Sequence, residues 1–134
     1  MNIVLPQLFP VACHTDNVGV GTTFVAIQGF NLDGATFIPQ ALAQGAKKIV
    51  VEQGTELSPS TMQAIRQARA QLITVANTRK ALATLSAQAN DNPAKKLKII
   101  GITGTKGKTT SAFLLEHILR SSGKKTAFIS TVYN

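Results

Sequence analysis

Within ten residues, Gly101-Ile102-Thr103-Gly104-Thr105-Lys106-Gly107-Lys108-Thr109-Thr110 gathers glycines, lysines and hydroxyl side chains. That mixture suits a polyphosphate. Glycines let backbone N–H groups curl around phosphate oxygens, and a helix starting at the end of the loop adds its positive dipole end. Lys108 is placed to reach the β and γ phosphates of ATP, and the Thr109 hydroxyl to ligate Mg²⁺. Gly104, Thr105, Lys106, Gly107, Lys108, Thr109 and Thr110 are therefore the candidate ATP-binding residues. The spacing departs from the strict G-x-x-x-x-G-K-[ST], because Ile102 occupies the first glycine position. A bland alternative is a Gly/Thr-rich turn carrying a surface lysine. The order strand, loop, GKTT, apolar helix argues against it.

The elements that must position this loop are readable on both sides. Leu97 to Ile102 predicts a strand, Lys108 to about Ser122 a helix stopped by Gly123, and Thr126 to Thr131 a second strand. That is one βαβ unit, and its parallel sheet needs further strands and helices to cover both faces. Before it, Asn90 to Lys96 is polar and contains Pro93, the best linker in the chain. Upstream, strands at Phe24-Val25-Ala26-Ile27, Ile49-Val50-Val51 and Leu72-Ile73-Thr74-Val75 alternate with helical patterns. The first helix follows Asp33 and stops at Gly45. The second opens at Ser58-Pro59, and the third is capped by Asn77 or Thr78. The expected fold class is α/β: a small N-terminal α/β domain over 1–93, then from 94–134 the first βαβ unit of a P-loop ATP-binding domain.

Charge narrows the function classes. The chain has 134 residues and a net charge of +8. Residues 1–94 are almost balanced, whereas the last 40 residues hold eight basic side chains against Glu116 alone. A nucleic-acid surface would add interleaved aromatics or a recognition module. Phe113, Phe128 and Tyr133 are spaced instead as core or strand residues, and a positive field around a polyphosphate explains the excess. No specific nucleic-acid partner is expected. Cys13 is the only cysteine, so no intrachain disulfide can form. No apolar run reaches the roughly 18–20 residues that span a bilayer, and the N-terminus lacks the basic start of a secretory signal. The expectation is a cytoplasmic protein without membrane association. His14 and His117 lack metal-ligand spacing.

Thr103-Gly104-Thr105-Lys106-Gly107-Lys108-Thr109-Thr110 is similar to the ATP loop of the Mur ligases, usually T-G-T-N-G-K-T-T, with Lys106 where asparagine is commonest. Folylpolyglutamate synthetases share a related loop. The upstream segment is more specific. Val18-Gly19-Val20-Gly21-Thr22-Thr23-Phe24-Val25-Ala26-Ile27-Gln28-Gly29, then Asp33-Gly34-Ala35-Thr36-Phe37-Ile38, resembles the N-terminal domain of the ligase that adds the third residue, the UDP-N-acetylmuramoyl-tripeptide synthetases. Gly45-Ala46, Val50-Val51-Glu52 and Arg79-Lys80-Ala81-Leu82 extend the match, so it covers about residues 14–134. The related ligase that adds the terminal dipeptide is the runner-up.

This resemblance implies an ATP-dependent amide-bond ligase of peptidoglycan precursor synthesis. ATP phosphorylates the carboxylate of UDP-MurNAc-L-Ala-D-Glu, and the amine of an incoming amino acid attacks the acyl phosphate. It also implies UDP-substrate contacts at Cys13, Thr15, Phe30, Asn31 and Leu32. His14-Thr15-Asp16 stands where the family has D-S-R, so Thr15 keeps a hydroxyl where serine is usual. Phe30 stands where histidine is frequent; it suits a base-stacking role or an ordinary hydrophobic wall. Cys13, taken by itself, reads as a small buried side chain. The family's catalytic acids and carbamylated lysine fall after Asn134, so no catalytic residue is expected within these 134 residues, and the chain is expected to be truncated and inactive alone. A P-loop module that binds nucleotide without turnover is the alternative from another class.

Overall fold

The computed structural model describes residues 8–29 and 32–130. The chain divides into two compact units, Met1–Lys96 and Leu97–Asn134.

In the first unit four strands form one parallel sheet in strictly sequential order: β1 (Val11–Ala12), β2 (Thr23–Val25), β3 (Lys48–Glu52) and β4 (Gln71–Val75). Phe24 lies opposite Ala12 on one side and Ile49 on the other, and Ile49 opposite Leu72. Strand alternation then sorts the side chains onto two faces. Phe24, Ala26, Ile49 and Val51 join Ile38, Ala41 and Leu42 of helix α1 (Ile38–Ala43) and Ile65 of helix α2 (Pro59–Gln67) in the main core. Right-handed crossovers put both of these helices on the same side of the sheet. Val25 and Val50, also fully buried, point the other way, where helix α3 (Thr78–Ala89) packs across β1, β2 and β3. Each such large apolar side chain contributes about 1.5–3 kcal/mol on full burial.

The helix boundaries follow local chemistry. Ser58 Oγ accepts the Thr61 N–H at 3.2 Å, and Pro59 fills the first position of α2. Asn77 caps α3, its Oδ1 accepting the Lys80 N–H at 2.8 Å. The helix expected after Asp33 is split into a 3₁₀ turn, Gly34–Phe37, followed by α1. Pro39 explains the split: it has no N–H to donate four residues back to Ala35, whose carbonyl is taken instead by the Ile38 N–H in a tighter turn. Gly45 stops α1 at φ 102°, where an added Cβ would stand 2.9 Å from Val20 Cα. β1 has only two residues and no local signal, since it exists by pairing with β2.

The polar segment after α3 turns at Asp91 and Asn92, both in the left-handed region, and enters a 3₁₀ turn, Pro93–Lys96. The second unit contains one long helix, α4 (Lys108–Ser121). Phe113 and Phe128 stack at 4.7 Å between ring centroids, and Thr126 Oγ1 donates to Glu116 Oε1 at 2.9 Å. The two strands expected beside α4 differ from the structure. Leu97–Ile102 has no strand assignment, and neither has Thr126–Ile129; Thr131 lies outside the described residues. A parallel strand is held by the N–H and C=O groups of neighbouring strands; here Phe128 packs on Phe113, but Ile99 stands 71% and Ile129 93% exposed.

Candidate functional site

The phosphate loop is organised around two glycines whose backbone other residues adopt only under strain. Gly104 has φ 153° and Gly107 φ 77°. Gly107 is also the N-cap of α4 and has no side chain to cap it. The N–H groups of the first helical turn therefore have no side-chain acceptor within the helix start, and they and the dipole face outward. Lys108 Nζ donates to the Gly104 carbonyl at 2.7 Å, which holds the cation over the loop. Ser111 N–H closes the first turn on the Gly107 carbonyl at 2.9 Å. Thr109 is half-buried in that turn, while Thr105, Lys106, Lys108 and Thr110 are exposed. The arrangement offers backbone donors, a fixed ammonium and threonine hydroxyls to a polyphosphate. A single hydroxyl ligand from Thr109 fits Mg²⁺, which keeps several waters and takes its remaining oxygens from the phosphates. Among the described residues no group of three or more His, Cys, Asp or Glu side chains could hold a metal by itself.

A second constellation lies at the carboxyl edge of the sheet in the first unit. Cys13 and Thr15 follow β1, and Leu32 follows β2, its parallel neighbour, so the three share that edge. Cys13 is half-buried rather than buried. Thr15 begins a 3₁₀ turn, Thr15–Asn17, and is half-buried, whereas Leu32 is exposed. Phe30 and Asn31, expected in the same constellation, lie outside the described residues.

The same edge carries residues that sequence reasoning missed. Gln28, Asp33, Glu52, Gln53, Gly54, Thr55 and Glu56 line a cavity of about 270 Å³. Glu52, the last residue of β3, accepts both the N–H and the hydroxyl of Thr78, each at 2.9 Å, on its Oε2. Those two bonds, with the nearby Arg79 guanidinium, hold its carboxyl below the ordinary value, against a smaller upward push from burial. Arg79 Nη2 in turn donates to the Gln28 carbonyl at 3.2 Å. An acidic residue ending a strand, with a Thr-Arg pair opening a later helix, is the local sequence signal for this network, whose Glu52 and Arg79 also fall in segments that carry the family resemblance.

Comparison with known proteins supplies the context. The family profile described as "Mur ligase family, catalytic domain" matches residues 11–90. A Clostridium perfringens UDP-N-acetylmuramoyl-L-alanyl-D-glutamate–2,6-diaminopimelate ligase is 44% identical over 114 residues, which cover 85% of this chain and 22% of that protein. A Deinococcus radiodurans UDP-N-acetylmuramyl-tripeptide synthetase is 40% identical over 112 residues, covering 84% of this chain and 21% of that protein. Among solved structures, the MurF ligase of Thermotoga maritima in complex with ADP superposes with a TM-score of 0.57 at 26% identity, covering 90% of this chain and 25% of that one. The chain thus spans about a fifth to a quarter of the length of these relatives.

Proposed function

The chain belongs to the Mur ligase family, and we propose that it supplies the UDP-substrate and ATP-loop portions of a cytoplasmic ligase that adds the third amino acid to UDP-MurNAc-L-Ala-D-Glu. In this reading ATP phosphorylates the terminal carboxylate of the UDP-linked peptide, and the amine of the incoming amino acid displaces phosphate from the acyl phosphate. The observation that carries it is the glycine-capped start of α4, with Lys108 bonded across the loop to Gly104. Gly104 to Gly107 cradle the phosphates, Lys108 offsets the β and γ charge, Thr109 would ligate Mg²⁺ with its hydroxyl, and Thr110 adds the backbone N–H of the first helical turn. Mg²⁺ would neutralise charge on the transferring phosphoryl group. Cys13, Thr15 and Leu32, together with Phe30 and Asn31, form the UDP end. Support for the third-residue step comes from the Clostridium and Deinococcus relatives. The MurF structure keeps the related dipeptide-adding step as a second reading. The amino acid and the UDP-MurNAc-peptide are small-molecule partners, and no nucleic acid is involved. Among the described residues no helix is long and apolar enough to cross a membrane.

The test compares Mg-ATP with a short DNA duplex, at low and near-physiological salt, for the wild type and Gly107→Val. At φ 77° a β-branched side chain is strained even though nothing stands within 4 Å of its Cβ, so this substitution removes the loop conformation without a steric clash. Duplex binding is expected to fade with salt and to ignore the substitution. Mg-ATP binding is expected to persist with salt and to be lost in Gly107→Val. Tight duplex binding at physiological salt, with no glycine-dependent ATP binding, would overturn the ligase reading.

A further inference from the structure

The chain that leaves β2 passes through a neck made of backbone contacts. Gln28 and Asp33 face each other in an isolated antiparallel bridge. The Gly29 N–H donates to the Leu32 carbonyl at 2.9 Å, and the Gly34 N–H to the Ile27 carbonyl at 3.0 Å. Neither glycine has room for a side chain. A Cβ on Gly29 would stand 2.8 Å from the Leu32 carbonyl oxygen, and one on Gly34 would stand 2.6 Å from both N and O of Ile27.

One side chain from a distant element is fastened to this neck. Arg79, in the first turn of α3, donates to the Gln28 carbonyl across 51 residues of sequence. Its own position is set from below: the neighbouring Thr78 is 1% exposed and bonded twice to Glu52. The chain of contacts Glu52, Thr78, Arg79, Gln28 therefore runs from the end of β3 through the start of α3 to the end of β2. Its Glu52 and Gln28 ends lie on the wall of the 270 Å³ cavity.

We propose that Arg79 is a positioning residue for recognition of the UDP end of the substrate, fixing the neck at Gln28–Gly29 and Leu32–Asp33 so that Leu32 is presented at the sheet edge that also carries Thr15. This rests on the UDP reading given above. Arg79 acts by holding the Gln28 carbonyl and not by contact with the substrate. A guanidinium suits this role because Thr78 fixes its backbone while the planar head keeps further donors free.

The experiment uses the 134-residue chain as wild type, Arg79→Ala and Arg79→Lys. It reads amide hydrogen exchange at Gly29 and Gly34, with Ala26 and Val50 as sheet references, and affinity for uridine 5′-diphosphate. Arg79→Ala is expected to speed exchange at the two neck glycines by about tenfold while the sheet amides keep their protection, as local opening requires. Its uridine diphosphate affinity is expected to fall by about tenfold, the loss of one charge-assisted hydrogen bond. Arg79→Lys should recover part of both, since an ammonium can still donate to one carbonyl. Unchanged exchange at Gly29 and Gly34 in Arg79→Ala overturns the proposal whether or not the nucleotide binds. Faster exchange with unchanged affinity overturns the recognition role. Equal loosening of the sheet amides shows a merely structural residue and also overturns it. A wild type with no affinity for uridine diphosphate fails the UDP reading instead, and with it the recognition role, while the exchange data separately decide whether Arg79 holds the neck.

Discussion

Helices α3 and α4 begin in opposite ways. At α3 every device that can satisfy a helix start comes from the protein: Asn77 accepts the Lys80 N–H, and Glu52 accepts the N–H and hydroxyl of Thr78. At α4 the cap is Gly107, no side chain accepts, and the helix opens on a cation, Lys108. Both starts carry the same partial positive charge. One is neutralised internally by a carboxylate, so it serves as a fastening. The other carries a lysine instead, and suits a negatively charged ligand. A helix N-terminus becomes a structural joint or a binding site according to what the residues gathered around it, near or distant in sequence, supply.

The contrast can be tested from its stronger side first. Lys108→Ala should weaken Mg-ATP binding by about a hundredfold, about 2.7 kcal/mol, and leave the thermal unfolding of residues 1–96 where it is. Calorimetric titration and a melting curve read the two outcomes. Lost affinity smaller than tenfold would mean that the backbone amides alone hold the phosphates. On the other side, Asn77→Ala should lower the stability of the first unit by about 1 kcal/mol, the usual cost of removing such a cap, with Mg-ATP affinity unchanged. Urea denaturation measures it. An Asn77→Ala variant with weakened ATP binding would break the separation between the two starts.

The smallest effect concerns pH. Because the folded protein holds the Glu52 carboxyl below the ordinary value of 4.5, the unfolded chain binds its proton first as acid is added. The stabilisation from this contact is therefore fully present above that ordinary value and is lost as pH falls through the lower folded value. Glu52→Gln keeps an acceptor for Thr78 but removes the charge. Its stability is expected to fall less steeply than the wild type below pH 4.5. Parallel acid limbs for the two proteins would assign the acid sensitivity to other carboxylates.

Much of this was legible in the sequence, for reasons that are local. Ser58-Pro59, Asn77 and Gly45 each fix a helix boundary through their own geometry, and the loop from Gly104 to Thr110 announces itself by residue type and spacing. What escaped depends on distant partners. β1 is two residues long and is a strand only because Thr23 and Phe24 lie opposite it. The Glu52–Thr78 contact joins residues 26 apart, and the Arg79–Gln28 contact residues 51 apart. Conversely, Leu97 to Ile102 has the composition of a buried parallel strand, yet residues such as Ile99 stand 71% exposed. Apolar composition states what a segment would do beside partners, not whether they are present.

The sequential order of the sheet has a kinetic meaning. Each new strand of the first unit is laid against the one just before it, so β2, β3 and β4 can assemble with α1 and α2 by short chain closures. Helix α3 alone must travel back across the sheet to reach β1, the longest chain closure in the unit. Its docking is expected to come last, after the main barrier set by the sheet with α1 and α2. The cap at Asn77 and the fastening at Glu52 would then be absent from the transition state, and their removal should speed unfolding while leaving the folding rate alone. The urea series on Asn77→Ala already contains the check: only the unfolding arm of its chevron should move. The contacts that fasten the start of α3 would thus also set how long the unit stays folded.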